Sequence, residues 1–166
     1  MSYDMNADEI FEMAEQIEKN GAEFYRQAAG SISDAPVRQL LLDFASMEDE
    51  HLEVFASMRA ELSDQERRST VFDPEGEAAQ YLRALADLRV FDKAAKEDFI
   101  LLEDLSEQEK AKQVFRGAIA REKESIVFYL GMKELVPEKL GKNRIDNIIR
   151  EEMKHVRMLS NRYASL

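Results

Sequence analysis

Residues 40–51 read Leu40-Leu41-Leu42-Asp43-Phe44-Ala45-Ser46-Met47-Glu48-Asp49-Glu50-His51, an apolar helical run closed by an E-x-x-H. Glu48 and His51 stand three residues apart, so on a helix they share one face. They fall on a seam that is otherwise apolar: Val37, Leu41, Phe44, Glu48, His51, Phe55, Met58 and Leu62 recur at three- and four-residue spacing. A second E-x-x-H, Glu152 to His155, interrupts a similar seam of Ile145, Ile148, Glu152, His155 and Leu159. These are the only two histidines in the chain, and each has a glutamate three residues before it. One E-x-x-H on a helix is ordinarily a solvated pair. Two of them on core seams call for another explanation.

The rest of the chain supplies two further helices. The first starts at Asn6, with Glu9 three residues on as capping-box partner, and is expected to end before Gly30. Its buried stripe is Ile10, Ala14, Ile17, Gly21, Tyr25 and Ala28, and Glu18 points into that face, where a lone carboxylate is costly. The second, with Asp34 as cap and Pro36 in its first turn, carries residues 40–51. The short link between these two makes them antiparallel neighbours. A third helix is announced by Ser106 with Glu109, another capping box, and has the seam Ala111, Phe115, Ala118, Glu122, Ile126 and Tyr129 before it ends ahead of Pro137. The fourth begins after Gly141 and runs to about Tyr163. Between the pairs, residues 63–70 read as a polar loop, residues 77–88 as helical, and residues 93–102 as a further turn or helix. The whole stretch is a long crossover within one domain, residues 1–166.

The halves repeat at one offset. Glu18 and Glu122, Tyr25 and Tyr129, Glu48 and Glu152, and His51 and His155 are each 104 residues apart. Ala14-x-x-x-Glu18-Lys19 matches Ala118-x-x-x-Glu122-Lys123, and Phe24-Tyr25 matches Phe128-Tyr129. That interval is too long for a solenoid. It predicts an all-α four-helix bundle of two antiparallel hairpins, with equivalent inward residues meeting at the centre.

Four glutamates and two histidines in one core require cations. Crowded carboxylates in low dielectric repel one another and hold protons when nothing else neutralises them. Two divalent ions balance four carboxylates, and each E-x-x-H offers a glutamate free to bridge and a histidine free to cap one ion. Glu18, Glu48, His51, Glu122, Glu152 and His155 are therefore candidate metal ligands. Tyr25 and Tyr129, two turns beyond each lone glutamate, are candidate catalytic residues that hydrogen-bond to those ligands, although an aromatic on such a seam is more often plain core. Glu50, Glu124 and Glu151 are expected to face solvent. The donor set accepts manganese as well as iron.

These residues resemble the ferritin-like diiron carboxylate proteins, and within them the rubrerythrin-like proteins. The E…ExxH…E…ExxH order spans all four helices, and the A-x-x-x-E-K-x-x-x-x-F-Y element of the first and third is particularly rubrerythrin-like. The resemblance implies a ferritin-like bundle and two iron ions held by Glu18, Glu48, His51, Glu122, Glu152 and His155, with Glu48 and Glu152 bridging. It also implies reaction of diferrous iron with peroxide or dioxygen. Two features set this chain apart. Rubrerythrins typically carry a C-terminal rubredoxin-type domain with four cysteines, whereas this chain has no cysteine, so electrons come from an external donor or from the iron being oxidised. They also place a glutamate three residues after the third-helix ligand, where Ser125 stands here. The six remaining ligands form a more symmetric site, similar to bacterioferritin-like ferroxidase centres.

Composition bounds what else the chain does. Gly (6) and Pro (3) are sparse, which favours helices, and the net charge of −11 argues against nucleic acid or an anionic membrane as partner. The absence of cysteine excludes disulfides, thiolate nucleophiles and iron–sulfur clusters. No signal peptide or membrane-spanning run is visible, so the expected location is cytoplasmic. The leading functional expectation is a diiron oxidoreductase that oxidises ferrous iron or reduces peroxide. The alternatives are a non-catalytic iron-binding or storage protein and a helical interaction module with a structural polar core. No fifth C-terminal helix is evident, which weighs against a ferritin-type cage, and a homodimer is compatible with the fold.

Overall fold

The computed structural model describes residues 5–68, 73, 75–87 and 102–166. Among the described residues the chain is helical throughout, in six α-helices and one 3-10 turn. Helices α1 (Ala7–Ser31) and α2 (Ala35–Ala60) form the first hairpin. The short α3 (Asp64–Arg68) and α4 (Glu77–Asp87) follow. Helices α5 (Glu107–Leu135) and α6 (Lys142–Ala164), joined through the 3-10 turn Glu138–Leu140, form the second.

The predicted caps hold. Asn6 accepts from the Glu9 backbone N–H (2.9 Å) while Glu9 accepts from Asn6 N–H (3.0 Å), and Ser106 and Glu109 repeat the exchange. Asp34 accepts from Val37 N–H (2.9 Å), with Pro36 in the first turn, where no backbone donor is needed. Gly141 adopts φ 97°, a left-handed conformation that turns the chain into α6.

Two expectations need correction. Helix α1 does not stop before Gly30 but continues to Ser31. Gly30 has no positive φ, and the chain leaves the helix at extended Ile32, whose side chain is buried in the core. Within residues 63–70, expected as a loop, residues 64–68 form α3. Ser63 donates from its backbone and its hydroxyl to Glu66 (2.9 and 2.8 Å), the S-x-x-E pattern already used at Ser106. The expected helix over residues 77–88 is present as α4, while residue 88 and the predicted turn or helix at 93–102, save Leu102, lie outside the described residues.

The core has two apolar clusters. One gathers Phe11, Phe55, Met58, Phe128, Tyr129 and Ile145; the other gathers Phe24, Tyr25, Phe44, Phe115 and Leu159. Each large side chain so buried contributes about 1.5–3 kcal/mol. The glutamates and histidines of the seams lie midway along the four long helices. Salt bridges fasten the ends: Arg59 of α2 grips Asp8 of α1 through two hydrogen bonds (3.0 and 2.9 Å), and Arg144 of α6 reaches Glu61 beyond α2.

Candidate metal centre

Each helix of the two hairpins brings its seam residue to one point. Glu18 comes from α1, Glu48 and His51 from α2, Glu122 from α5, and Glu152 and His155 from α6. All six are at most 4% exposed. They form two overlapping groups, Glu18, Glu48, His51 and Glu152, and Glu48, Glu122, Glu152 and His155, each offering four ligand atoms within 4.8 Å of one another. Glu48 and Glu152 belong to both groups, so these two carboxylates lie between the two halves.

The histidines face the centre through the same ring atom. His51 Nδ1 stands 2.9 Å from Glu152 and 3.6 Å from Glu18. His155 Nδ1 stands 2.9 Å from Glu152, 3.6 Å from Glu48 and 3.7 Å from Glu122. The two rings are stacked, with centroids 5.6 Å apart. Each lone glutamate is held by a tyrosine of the opposite hairpin: Tyr25 donates its hydroxyl to Glu122, and Tyr129 to Glu18. Both tyrosines are buried, in contact with the ligand candidates as the sequence suggested.

The electrostatics are those of an overcrowded acidic core. Burial pushes Glu48 well above the ordinary carboxylate range, and the charges of Glu152, Glu122 and Glu18 add to it. Burial likewise raises Glu18, and raises Glu122 to about 8 with help from the charge of Glu152. Burial also pushes Glu152 up, but the neighbouring Glu122, His155 and His51 side chains outweigh it and hold this carboxylate below its usual range. For the histidines burial opposes the charged form, yet the adjoining carboxylates win. Glu152 and Glu18 lift His51 to about 11, and Glu122 and Glu152 lift His155 to about 9. Tyr25 and Tyr129 are raised well above 10, first by burial and then by the neighbouring carboxylates, so they remain donors at neutral pH.

Whether this set fits a metal is answered by atoms without partners. Glu18 Oε2, Glu48 Oε1, His51 Nδ1 and Glu152 Oε1 are buried and make no hydrogen bond. His51 Nδ1 and Glu152 Oε1 are only 2.9 Å apart, yet off hydrogen-bond geometry with each other. Such atoms each cost about 1–3 kcal/mol when unsatisfied. Oxygen and imidazole donors converging on a shared centre fit iron.

The family model described as rubrerythrin matches residues 9–163. The chain belongs to the rubrerythrin family. The fold of this rubrerythrin-family chain is similar to that of a protein described as a ferritin-like diiron-carboxylate protein from Thermotoga maritima, at 24% identity and a TM-score of 0.66. The match covers 97% of this chain and 96% of that one. Among curated proteins none matches. The ferritin-like all-α fold expected from the sequence is thus the observed one. Among the described residues no helix is long and apolar enough to cross a membrane.

Three further residues, none of them a ligand candidate in the sequence, shape the centre. Glu151, expected to face solvent, is 59% exposed, but its carboxylate lies 2.8 Å from His51 Nε2. Glu50 and Glu124 are exposed as expected. Gly21 of α1 packs against Glu48: a Cβ there would come within 2.6 Å of Glu48 Oε2. Ser125, 104 residues on, donates its hydroxyl to the Arg121 carbonyl (3.1 Å). Gly21 and Ser125 line a partly open, water-sized cleft of about 20 Å³ that reaches Glu48 and Glu122, with Arg121 and Glu124 also on its walls. The signal for both was their smallness at equivalent positions of the repeat.

Proposed function

We propose that the chain is a single ferritin-like unit over residues 1–166 that works as a diiron-carboxylate oxidoreductase, oxidising ferrous iron or reducing peroxide. The observation that carries this reading is the pair of overlapping four-residue groups that share Glu48 and Glu152. In it, Glu18 and His51 would hold one ion, Glu122 and His155 would hold the other, and Glu48 and Glu152 would be shared by both. Manganese suits the same donors.

A bound iron pair would supply two adjacent one-electron couples, the two electrons that turn hydrogen peroxide and two protons into two waters. The chain's own part is positional and electrostatic. Tyr25 and Tyr129 fix the carboxylates of Glu122 and Glu18 by hydrogen bonds from the opposite hairpin. The apolar clusters on either side keep bulk water from the carboxylates. The cleft beside Gly21 and Ser125 is the route by which a small co-reactant such as dioxygen or peroxide reaches Glu48 and Glu122. With no cysteine in the chain, electrons for repeated turnover come from an external donor or from further ferrous iron.

The reading is tested by loading the metal-free chain anaerobically with ferrous iron and exposing it separately to peroxide and to dioxygen. Two ions per chain and rapid oxidation by either oxidant support it. Iron that binds but is oxidised no faster than free ferrous iron leaves a storage role. Fewer than about one ion per chain leaves only a structural polar core.

A further inference from the structure

We infer that the two halves of the centre are inequivalent, because Glu151 positions His51 for metal while the repeat gives His155 no such partner; the His51 half therefore takes up a divalent cation first. The inference rests on the two-ion reading above.

The repeat is broken at one pair of positions. Counting back 104 residues from Glu151 leads to Met47. Each residue directly precedes the glutamate of an E-x-x-H, so Met47 is the repeat's counterpart of Glu151. Glu151 uses this place. Its carboxylate, which only accepts when ionised, stands 2.8 Å from His51 Nε2, so that nitrogen carries the hydrogen and donates it. Nδ1 is thereby the ring atom left for the centre, where it faces Glu152 and Glu18. A carboxylate on the far nitrogen fixes the tautomer and the ring plane and makes the near nitrogen a stronger donor to metal.

Met47 has no such use. Its thioether is a weak acceptor at best and is half-buried against the apolar cluster of Phe24 and Phe44. Among the described residues no carboxylate comes within ion-pair distance of His155 Nε2: the pairs of His155 with Glu48, Glu122 and Glu152 all use Nδ1. The ring is instead set edge-on against Phe44 at 5.2 Å and 89°. Packing orients it but adds nothing to its basicity. Partners of this kind change metal affinity by about 10–100-fold, and that is the expected gap between the two halves.

The experiment titrates the metal-free full chain with Zn2+ alone, in competition with a chelator, and follows the histidine ring hydrogens by NMR. Two ions are expected, with affinities about 10–100-fold apart, and the His51 Nε2–H signal is expected to appear with the first. Glu151→Met should weaken the first ion to the level of the second and shift the His51 signal while leaving that of His155 in place. Met47→Glu should tighten the second ion and narrow the gap. If its half-buried position prevents folding, the largely exposed Glu151→Met variant carries the test. Two ions of equal affinity in the unaltered chain overturn the inference alone. So does a Glu151→Met variant that weakens both ions alike, since loss of a nearby charge would do that without any positioning. Fewer than two Zn2+ per chain overturns both this inference and the two-ion reading.

Discussion

Tyr25, on the first hairpin, donates its phenolic hydrogen to Glu122 on the second. The repeat supplies the reciprocal contact, Tyr129 to Glu18, so each half holds the other's lone glutamate. Tyr25→Phe leaves a buried carboxylate oxygen without its donor, which costs about 1–3 kcal/mol. Urea unfolding of the metal-free chain should show a lowered midpoint, and Tyr25→Phe/Tyr129→Phe should depart from additivity because both bonds enter one charge cluster. A midpoint unchanged in Tyr25→Phe would mean the hydroxyl is replaceable by water.

Glu48 and His155 differ in how many groups they join. Glu48 belongs to both four-residue groups and His155 to one. Glu48→Ala is expected to abolish loading of both ions, whereas His155→Ala should leave about one ion per chain. Elemental analysis of the purified variants checks this, and equal losses in the two would count against the bridging assignment.

Gly21 separates metal binding from folding. Alanine is the better helix former, so Gly21→Ala in α1 should stabilise the metal-free helix by about 0.5–1 kcal/mol. Its added Cβ falls 2.6 Å from Glu48 Oε2, so the end of that flexible side chain must move from where both groups need it. The expected outcome is a chain at least as resistant to urea that binds metal more weakly. Metal affinity equal to that of the unaltered chain would show that Glu48 accommodates the methyl group without cost.

The metal-free protein should become less stable as pH rises. Glu18, Glu48 and Glu122 keep protons in the folded chain above the ordinary value of 4.5, Glu122 up to about 8. His51 and His155 keep theirs above 6.5, up to about 11 and 9. Over that window the folded state binds more protons than the unfolded one, so stability falls with rising pH. Glu152 has the opposite sign, but its window lies below 4.5. Bound metal displaces these protons, so its stabilisation grows with pH. Urea midpoints at about pH 5, 7 and 9 should decline without metal and decline less with it; a metal-free midpoint that rises over this range would contradict the protonation described.

Much of this was legible in the residues because it is local. The three-residue spacing of Glu48 and His51 and of Glu152 and His155 puts each pair on one helix face whatever the helix packs against. The capping boxes at Asn6 and Ser106 are likewise exchanges within four residues. Ser63 with Glu66 carried the same signal at α3, and was obscured by the polar residues around it. The exit of α1 was not legible, since burial of Ile32 decides it and not the glycine before it.

The sequence by itself determined that there are two matching hairpins and which six charged residues lie on their apolar seams, because periodicity and the 104-residue repeat require no knowledge of the packing. Only the tertiary structure decided which atoms meet. Tyr25 finds Glu122 and not its own half's Glu18, Gly21 makes room for Glu48, and Glu151 reaches His51 across the interface of the hairpins. Those pairings are set by how the hairpins are seated on one another, a relation between side chains far apart in sequence that no spacing along one helix encodes.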